Sequence, residues 1–282
     1  MKKQLKKLYR WLPTIGVLKT IRVIGTPPFY KYLTVRGNFN TKLPNDKLIT
    51  LHSKHDLYIE KEIFWNGIFS EFEPYSLELW MKLAKNSDTV MDIGANTGIY
   101  ATTAVASGAR EVHAFEPVPY NFDILKKNKA LNNMQNLHLN QLALSDQEGV
   151  VDMQIKANAV NYTNSLTAGD NKKHWSTIQV ETTTLKDYIS SRSINKLDLI
   201  KMDVEGHEPQ ILKDSIEVLK SLKPGLFIEV LNEAFANQLM EIFQQLPEYK
   251  FYKINEAKRS LKLTDNLITR ERANYLITVK KL

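Results

Sequence analysis

The sequence predicts a doubly wound α/β fold around a mostly parallel sheet, preceded by a basic N-terminal extension. Three observations carry that expectation. From residue 89 onward, short apolar runs alternate with amphipathic stretches of about ten to fifteen residues, the rhythm of right-handed βαβ units. The first apolar run ends in a glycine-bent turn, Asp92-Ile-Gly94-Ala-Asn96-Thr-Gly98. The second ends in an acid followed by proline, Glu116-Pro117. In such sheets ligands bind beyond the carboxyl ends of the strands, so the residues just after each strand are the ones to search.

Element by element, residues 48–59 read as strand-rich, 63–69 as an apolar and aromatic passage, and 74–85 as an amphipathic helix. Strands follow at 89–93, 111–115, 137–144, 197–202 and 225–230. The intervening helices span 97–107, 120–132 and 208–222, and a further helix covers 234–245. Strands at 250–254 and 275–280, joined by a charged loop, predict an antiparallel hairpin at one edge of the sheet. The natural division lies near residue 80, giving an extension and substrate-side segment (1–80) and a cofactor domain (81–282).

Composition bounds the chemistry. The 282 residues contain no cysteine, which excludes disulfides, thiolate nucleophiles and Cys-ligated metals. The net charge of +7 is concentrated: residues 1–45 carry ten Lys or Arg and no acid, so the rest of the chain sums to −3. A near-neutral body argues against a nucleic-acid partner. No apolar run is long enough to span a membrane and no cleavable signal follows the basic start, which predicts a cytoplasmic protein. Leu5, Leu8, Leu12 and Ile15 recur at helical spacing among lysines. Residues 1–22 are therefore the segment for any weak peripheral contact with an anionic inner membrane face, although packing on the domain is the competing reading. Thr26-Pro-Pro-Phe29 reads as a turn.

The strand ends carry the chemistry. Gly94 and Gly98 allow a tight turn, and the free N–H groups opening the next helix favour a negative group. Asp92 instead favours an ammonium, so the loop suits a zwitterionic amino-acid moiety better than a pyrophosphate. Glu116 lies eighteen residues after Gly98 and can accept hydrogen bonds from both hydroxyls of a ribose. After the third strand, Ala143 offers an apolar wall for a base. Asn140, Ser145 and Asp146 are candidates to reach its exocyclic nitrogen. The fourth strand leads into Asp203-Val-Glu205-Gly-His207-Glu208, the densest ionisable group in the body, in which Asp203, Glu205 and His207 are the candidate general bases. Glu208 with Pro209 also fits an acidic helix start. Oxygen ligands from Asp203, Glu205 and Glu208 suit Mg²⁺, but no further acid or Asn completes a set, and no metal is expected. Glu229, closing the fifth strand, faces the same crevice. Tyr162 and Trp175, in the polar stretch 157–177, are suited to stacking on a sugar ring.

Together Val90–Tyr100, Ala114–Pro117, Ala143–Asp146 and Asp198–Glu208 resemble the FkbM family of class I methyltransferases, with Ile63–Gly67, Glu71 and Glu73 extending the likeness upstream. The resemblance implies a Rossmann-like sheet of seven strands whose last strand is inserted antiparallel. It implies S-adenosylmethionine as donor and O-methylation of a hydroxyl on a sugar, glycan or related natural product. Carried over, Asp92, Gly94, Asn96 and Gly98 hold the methionine part, Glu116 and Pro117 the ribose side, and Lys201–Glu208 the acceptor. His207 stands where the family often has a small residue, so a catalytic role falls first to Asp203 and Glu205. Two rival readings remain: a nicotinamide-dependent oxidoreductase, disfavoured by the missing Gly-x-Gly-x-x-Gly, and a member that binds cofactor or glycan without turnover.

Overall fold

The computed structural model describes residues 15–28, 30, 33–54, 57–156, 175–269 and 271–282. An N-terminal helix α1 (Ile15–Ile24) is followed by a hairpin of β1 (Gly37–Lys42) and β2 (Leu48–Ser53), then by helices α2 (Tyr58–Asn66) and α3 (Pro74–Ala84). The alternating part comprises β3 (Thr89–Ile93), α4 (Ile99–Ser107), β4 (Glu111–Phe115), α5 (Pro119–Leu131) and β5 (Leu137–Asn140). Next come β6 (Ala143–Ser145), β7 (Gly149–Lys156), β8 (Trp175–Thr184) and α6 (Leu185–Ser191). The chain continues through β9 (Leu199–Met202), α7 (Glu208–Asp214), α8 (Ile216–Leu222), β10 (Gly225–Val230) and α9 (Glu233–Phe243). It ends with β11 (Lys250–Asn255), β12 (Ser260–Thr264) and β13 (Ala273–Thr278).

The main sheet has eight strands in the order β12-β11-β13-β10-β9-β3-β4-β5. Neighbours from β10 to β5 run parallel, while β13 pairs antiparallel with both β10 and β11. Period-two alternation sorts the strand side chains into two cores. Val90, Val112, Leu199 and Phe227 join one, which also takes Leu18, Phe39, Phe64 and Trp80 from the preceding elements. Met91, Ile93, Ile200 and Ile228 join the other, under α7 and α9. Residue 80 thus falls inside α3, with its Trp fully buried in a core shared by residues on both sides of it.

Five expectations are corrected. The strand predicted over 48–59 stops at Ser53, and Tyr58 starts a helix whose buried face includes Ile59, Ile63 and Phe64. The third strand breaks after Asn140, and its second half, β6, leaves to pair with β8 in a separate three-stranded sheet β6-β8-β7. The helix predicted over 208–222 divides at Ser215, whose hydroxyl donates to Ile211 O (2.6 Å), the back-bonding that loosens a helix. The charged loop before the last strand contains β12, so the sheet has eight strands rather than seven. Finally, the last two predicted strands pair antiparallel as expected, β11 with β13, but they are not the edge: β13 slots between β10 and β11, and β12 lies outermost. This is the insertion implied by the resemblance.

Within α1, Leu18 is buried and Ile15 and Ile21 pack on the first core, while Val23 and Ile24 are exposed. Residues 1–14 and Tyr162 lie outside the described residues, as does the side chain of Trp175. No helix among the described residues is long and apolar enough to cross a membrane.

Candidate functional site

The ends of β3, β4, β9 and β10 open into one cleft, lined among others by Asp92, Gly94, Asn96, Glu116, Asp203 and Glu229. Its first wall is the turn after β3. Gly94 has φ +80°, and its N–H and that of Ala95 donate to Phe115 O (3.0 and 2.9 Å), tying the turn to β4. A Cβ at residue 94 would stand 2.0 Å from the Asp203 carbonyl oxygen, so only glycine lets the two strand-end loops meet. Gly98 (φ +88°) precedes α4, and a Cβ there would strike Leu125 of α5 at 2.2 Å. Its small size therefore serves helix packing, and Gly98 does not line the cleft.

Two buried carboxylates flank this turn. Glu116 accepts from the Asn96 N–H (2.8 Å) and the Val118 N–H (2.9 Å), which locks the acid to the loop. Burial pushes its pKa up to about 7, against the pull of those amides. Asp92 is almost fully buried, and its Oδ2 has no hydrogen-bond partner among the described residues. Burial raises its pKa to about 6, with the Lys201 ammonium opposing the rise. A buried acceptor without a donor is unusual in a folded chain and marks a place where a ligand donor fits.

The second wall is ionic. Lys201 projects from the apolar strand β9, fully enclosed, with its Nζ 2.9 Å from Asp203 Oδ2 and 4.5 Å from the centre of the Tyr100 ring. Burial works against its charge, but Asp203, Glu73 and Asp92 outweigh it and hold its pKa above the ordinary value. Glu73, in the left-handed region immediately before α3, accepts from Tyr100 Oη (2.6 Å) and Asn274 Nδ2 (2.7 Å). At the mouth, Arg272 reaches Glu229 Oε2 (3.0 Å) with one guanidinium nitrogen and Glu205 Oε2 (3.3 Å) with the other. Burial and the nearby Asp203 charge raise the pKa of both acids, that of Glu229 to about 7.

The structure gathers most of the residues singled out from sequence: Asp92, Gly94, Asn96, Glu116, Pro117 and Ala143 line one part of the cleft, and Asp203, Glu205 and Glu229 another. Six stand apart from it. Beyond Gly98, Ser145 donates to Asp146 Oδ1 (3.0 Å) and pairs with His207 Nε2 (2.9 Å), so the imidazole is turned toward the β6 end. Asn140 is spent on Ala114 O and on Tyr188 Oη. Glu208 accepts from the N–H groups of Val204 and Gly206 (3.0 Å each) and so braces the loop that carries Glu205, whose own φ is +54°. Sequence reasoning reached Lys201 only through the family resemblance, gave Glu73 no role, and missed Tyr100 and Arg272 as lining residues. A lysine inside an apolar strand was the one available signal; Arg272 lies just ahead of β13, about forty residues beyond β10, and leaves none.

The cleft fits an amino-acid-bearing nucleoside. It sets a buried carboxylate with one donorless oxygen beside a glycine turn, a second carboxylate one strand over, and apolar walls from Ile93, Phe115, Leu142 and Leu144. The methyltransferase FkbM domain family matches residues 92–253, more than half of the chain. Over 146 residues the chain is 27% identical to the hexuronic acid methyltransferase AglP of Haloferax volcanii, a match covering 52% of this chain and 57% of that protein. It is 26% identical to the 31-O-demethyl-FK506 methyltransferase FkbM of Streptomyces tacrolimicus (61% of this chain, 73% of that one). It is 27% identical to the 2-O-methyltransferase NoeI of Sinorhizobium fredii (49% and 61%). The matched region thus spans under two thirds of two of these three relatives. With its motifs placed on one cleft and its family profile covering all four strand ends, the chain belongs to the FkbM methyltransferase domain family.

Proposed function

We propose that the protein is an S-adenosylmethionine-dependent O-methyltransferase whose acceptor is a hydroxyl of a saccharide or related natural product. The observation that carries this is the pair of buried carboxylates, Asp92 and Glu116, on either side of the Gly94 turn. Asp92 offers its donorless oxygen to an ammonium, and Glu116 offers its remaining lone pairs to ribose hydroxyls. Apolar atoms of Phe115, Leu142 and Leu144 suit an adenine. Bound S-adenosylmethionine supplies an electrophilic methyl group. The names of the relatives, a hexuronic acid methyltransferase and a 2-O-methyltransferase among them, favour a sugar hydroxyl as acceptor.

The chain's own task at the acceptor is to orient the hydroxyl and take its proton. Asp203 is committed to Lys201, whereas Glu229 carries a pKa of about 7, matched to a base working near neutrality. We assign the proton to the Glu229 carboxylate, with Arg272 holding Glu205 and Glu229 apart and aligned. Glu229 would take the acceptor hydroxyl's proton and keep it while a bound S-adenosylmethionine would supply the methyl group to that oxygen.

Calorimetry with S-adenosylhomocysteine and with NAD tests the cofactor assignment. Binding of the former alone is expected, and Asp92→Asn and Glu116→Ala should each weaken it at least tenfold, about 1.4 kcal/mol. Preference for NAD, or unchanged affinity in both variants, would overturn the reading. Radiolabelled methyl transfer to a panel of hexuronates and neutral saccharides then identifies the acceptor class.

A further inference from the structure

Away from the cleft, Glu111 and His113 stand two residues apart on β4, and therefore on one face of the sheet. His138 on β5 is the direct cross-strand partner of His113. The two imidazoles stack with centroids 4.7 Å apart and planes within 24°. The Glu111 carboxylate contacts His138 Nε2, and one ligand-type atom from each of the three residues lies within 4.8 Å of the others. We propose that Glu111, His113 and His138 form a divalent-cation site of the kind that takes zinc, pinning the edge strand β5 to β4.

The hydrogen bonds behind His113 prepare it as a ligand. Asn140 Nδ2 donates to Ala114 O (3.2 Å), which leaves Asn140 Oδ1 as the acceptor for Tyr188 Oη (3.1 Å). With its proton given to Asn140, the Tyr188 oxygen accepts from His113 Nδ1 (2.8 Å). His113 is thereby fixed as the Nδ1–H tautomer, and its Nε2 presents a lone pair. A ligating histidine with its far nitrogen donating to a held oxygen is the usual arrangement around a bound metal.

Two imidazole nitrogens and one carboxylate oxygen suit zinc, which accepts N and O donors in a tetrahedron and completes it with water. Such a tetrahedron needs donor atoms roughly 3.4 Å apart, given metal–ligand distances near 2 Å. Glu111 and His138 are half exposed and free to swing inward by that margin, while His113 is buried and fixed. The exposed side supplies the water. A bound ion would take the place of the direct Glu111–His138 contact and link both strands to the Tyr188–Asn140 chain beneath them.

Zinc chloride titrated into the full chain, followed by calorimetry and by metal content after gel filtration, tests the site. One zinc per chain is expected, with a rise in Tm that grows with zinc concentration. His138→Ala and Glu111→Ala, both at half-exposed positions that leave the core intact, should each weaken binding at least tenfold, and His52→Ala should not. Affinity for S-adenosylhomocysteine should stay unchanged in all three variants, which separates this site from the cleft. No zinc uptake by the wild-type chain, or uptake undiminished in both the His138 and Glu111 variants, would overturn the proposal.

Discussion

A carboxyl group in a dry cleft keeps its proton to higher pH than one in water, and several acids here sit in such places. Glu229 matters most for rate. With a pKa of about 7 it is an effective base only when ionised, so kcat/KM should climb between pH 6 and 8 and then level off. Glu229→Gln should lower kcat by about a hundredfold or more and abolish that limb. Arg272→Ala removes the cation that holds the Glu229 pKa down, and the limb should move to higher pH; a profile unmoved in both variants would remove Glu229 from the base role. Glu60 makes the corresponding argument for stability. It is fully buried, and burial raises its pKa from 4.5 to about 7. The folded state thus holds this proton more tightly than the unfolded one, a contribution fully present below pH 4.5 and lost as pH rises through 7. Glu60→Gln should therefore gain up to about 3 kcal/mol on wild type at pH 8 and little or nothing at pH 5, read as Tm against pH. At this scale the sequence was legible where chemistry depends on residue type next to a strand end: Asp92, Glu116 and Asp203 announce themselves. It was mute where a role depends on what lies across space, as for Glu73, which meets Asn274 two hundred residues on.

At the scale of elements, the strongly periodic helices and the buried strands were readable because burial on both faces leaves a mostly apolar run, as in β3, where Asp92 is the one charged residue. β12 was not: its residues are exposed or half-buried on both faces, so no alternation marks it. β6 was hidden differently, since one apolar run supplies strands to two sheets and only tertiary pairing divides it. The start of α3 shows how distant segments complete an element. Its first turn has no side-chain cap of its own, and Glu256, from the β11–β12 turn, accepts from the Tyr75 N–H (2.7 Å) and the Ser76 N–H (3.2 Å). Negative charge at a helix N-terminus is favourable, and losing such a cap costs about 1 kcal/mol. Glu256→Ala should accordingly lower Tm by roughly 2–4 °C for a chain of this size. Because α3 begins beside Glu73, the same variant should weaken acceptor KM more than cofactor affinity; an unchanged Tm would show that water caps the helix equally well.

For the whole molecule, the sequence yields the layered α/β architecture, since βαβ rhythm and connection handedness leave few alternatives. It does not reveal that α1, the first hairpin and α3 share a core with the sheet, because that contact is made by single apolar residues such as Leu18 and Phe39 scattered among polar ones. Nor does local pattern announce where β13 goes. That strand separates β10 from β11, and its leading end brings Arg272, one residue ahead of it, to the cleft and Asn274 to Glu73. During synthesis the ribosome delivers every cofactor-side residue long before this segment emerges, yet β11 and β12 have no seat in the sheet until it arrives. A nascent chain stalled after Thr264 should therefore fail to bind S-adenosylhomocysteine in a pull-down, although Asp92, Gly94 and Glu116 are already made. Retained binding by that stalled chain would mean that the cofactor half matures alone. The expected order would leave the cleft unable to hold its methyl donor until β13 has emerged.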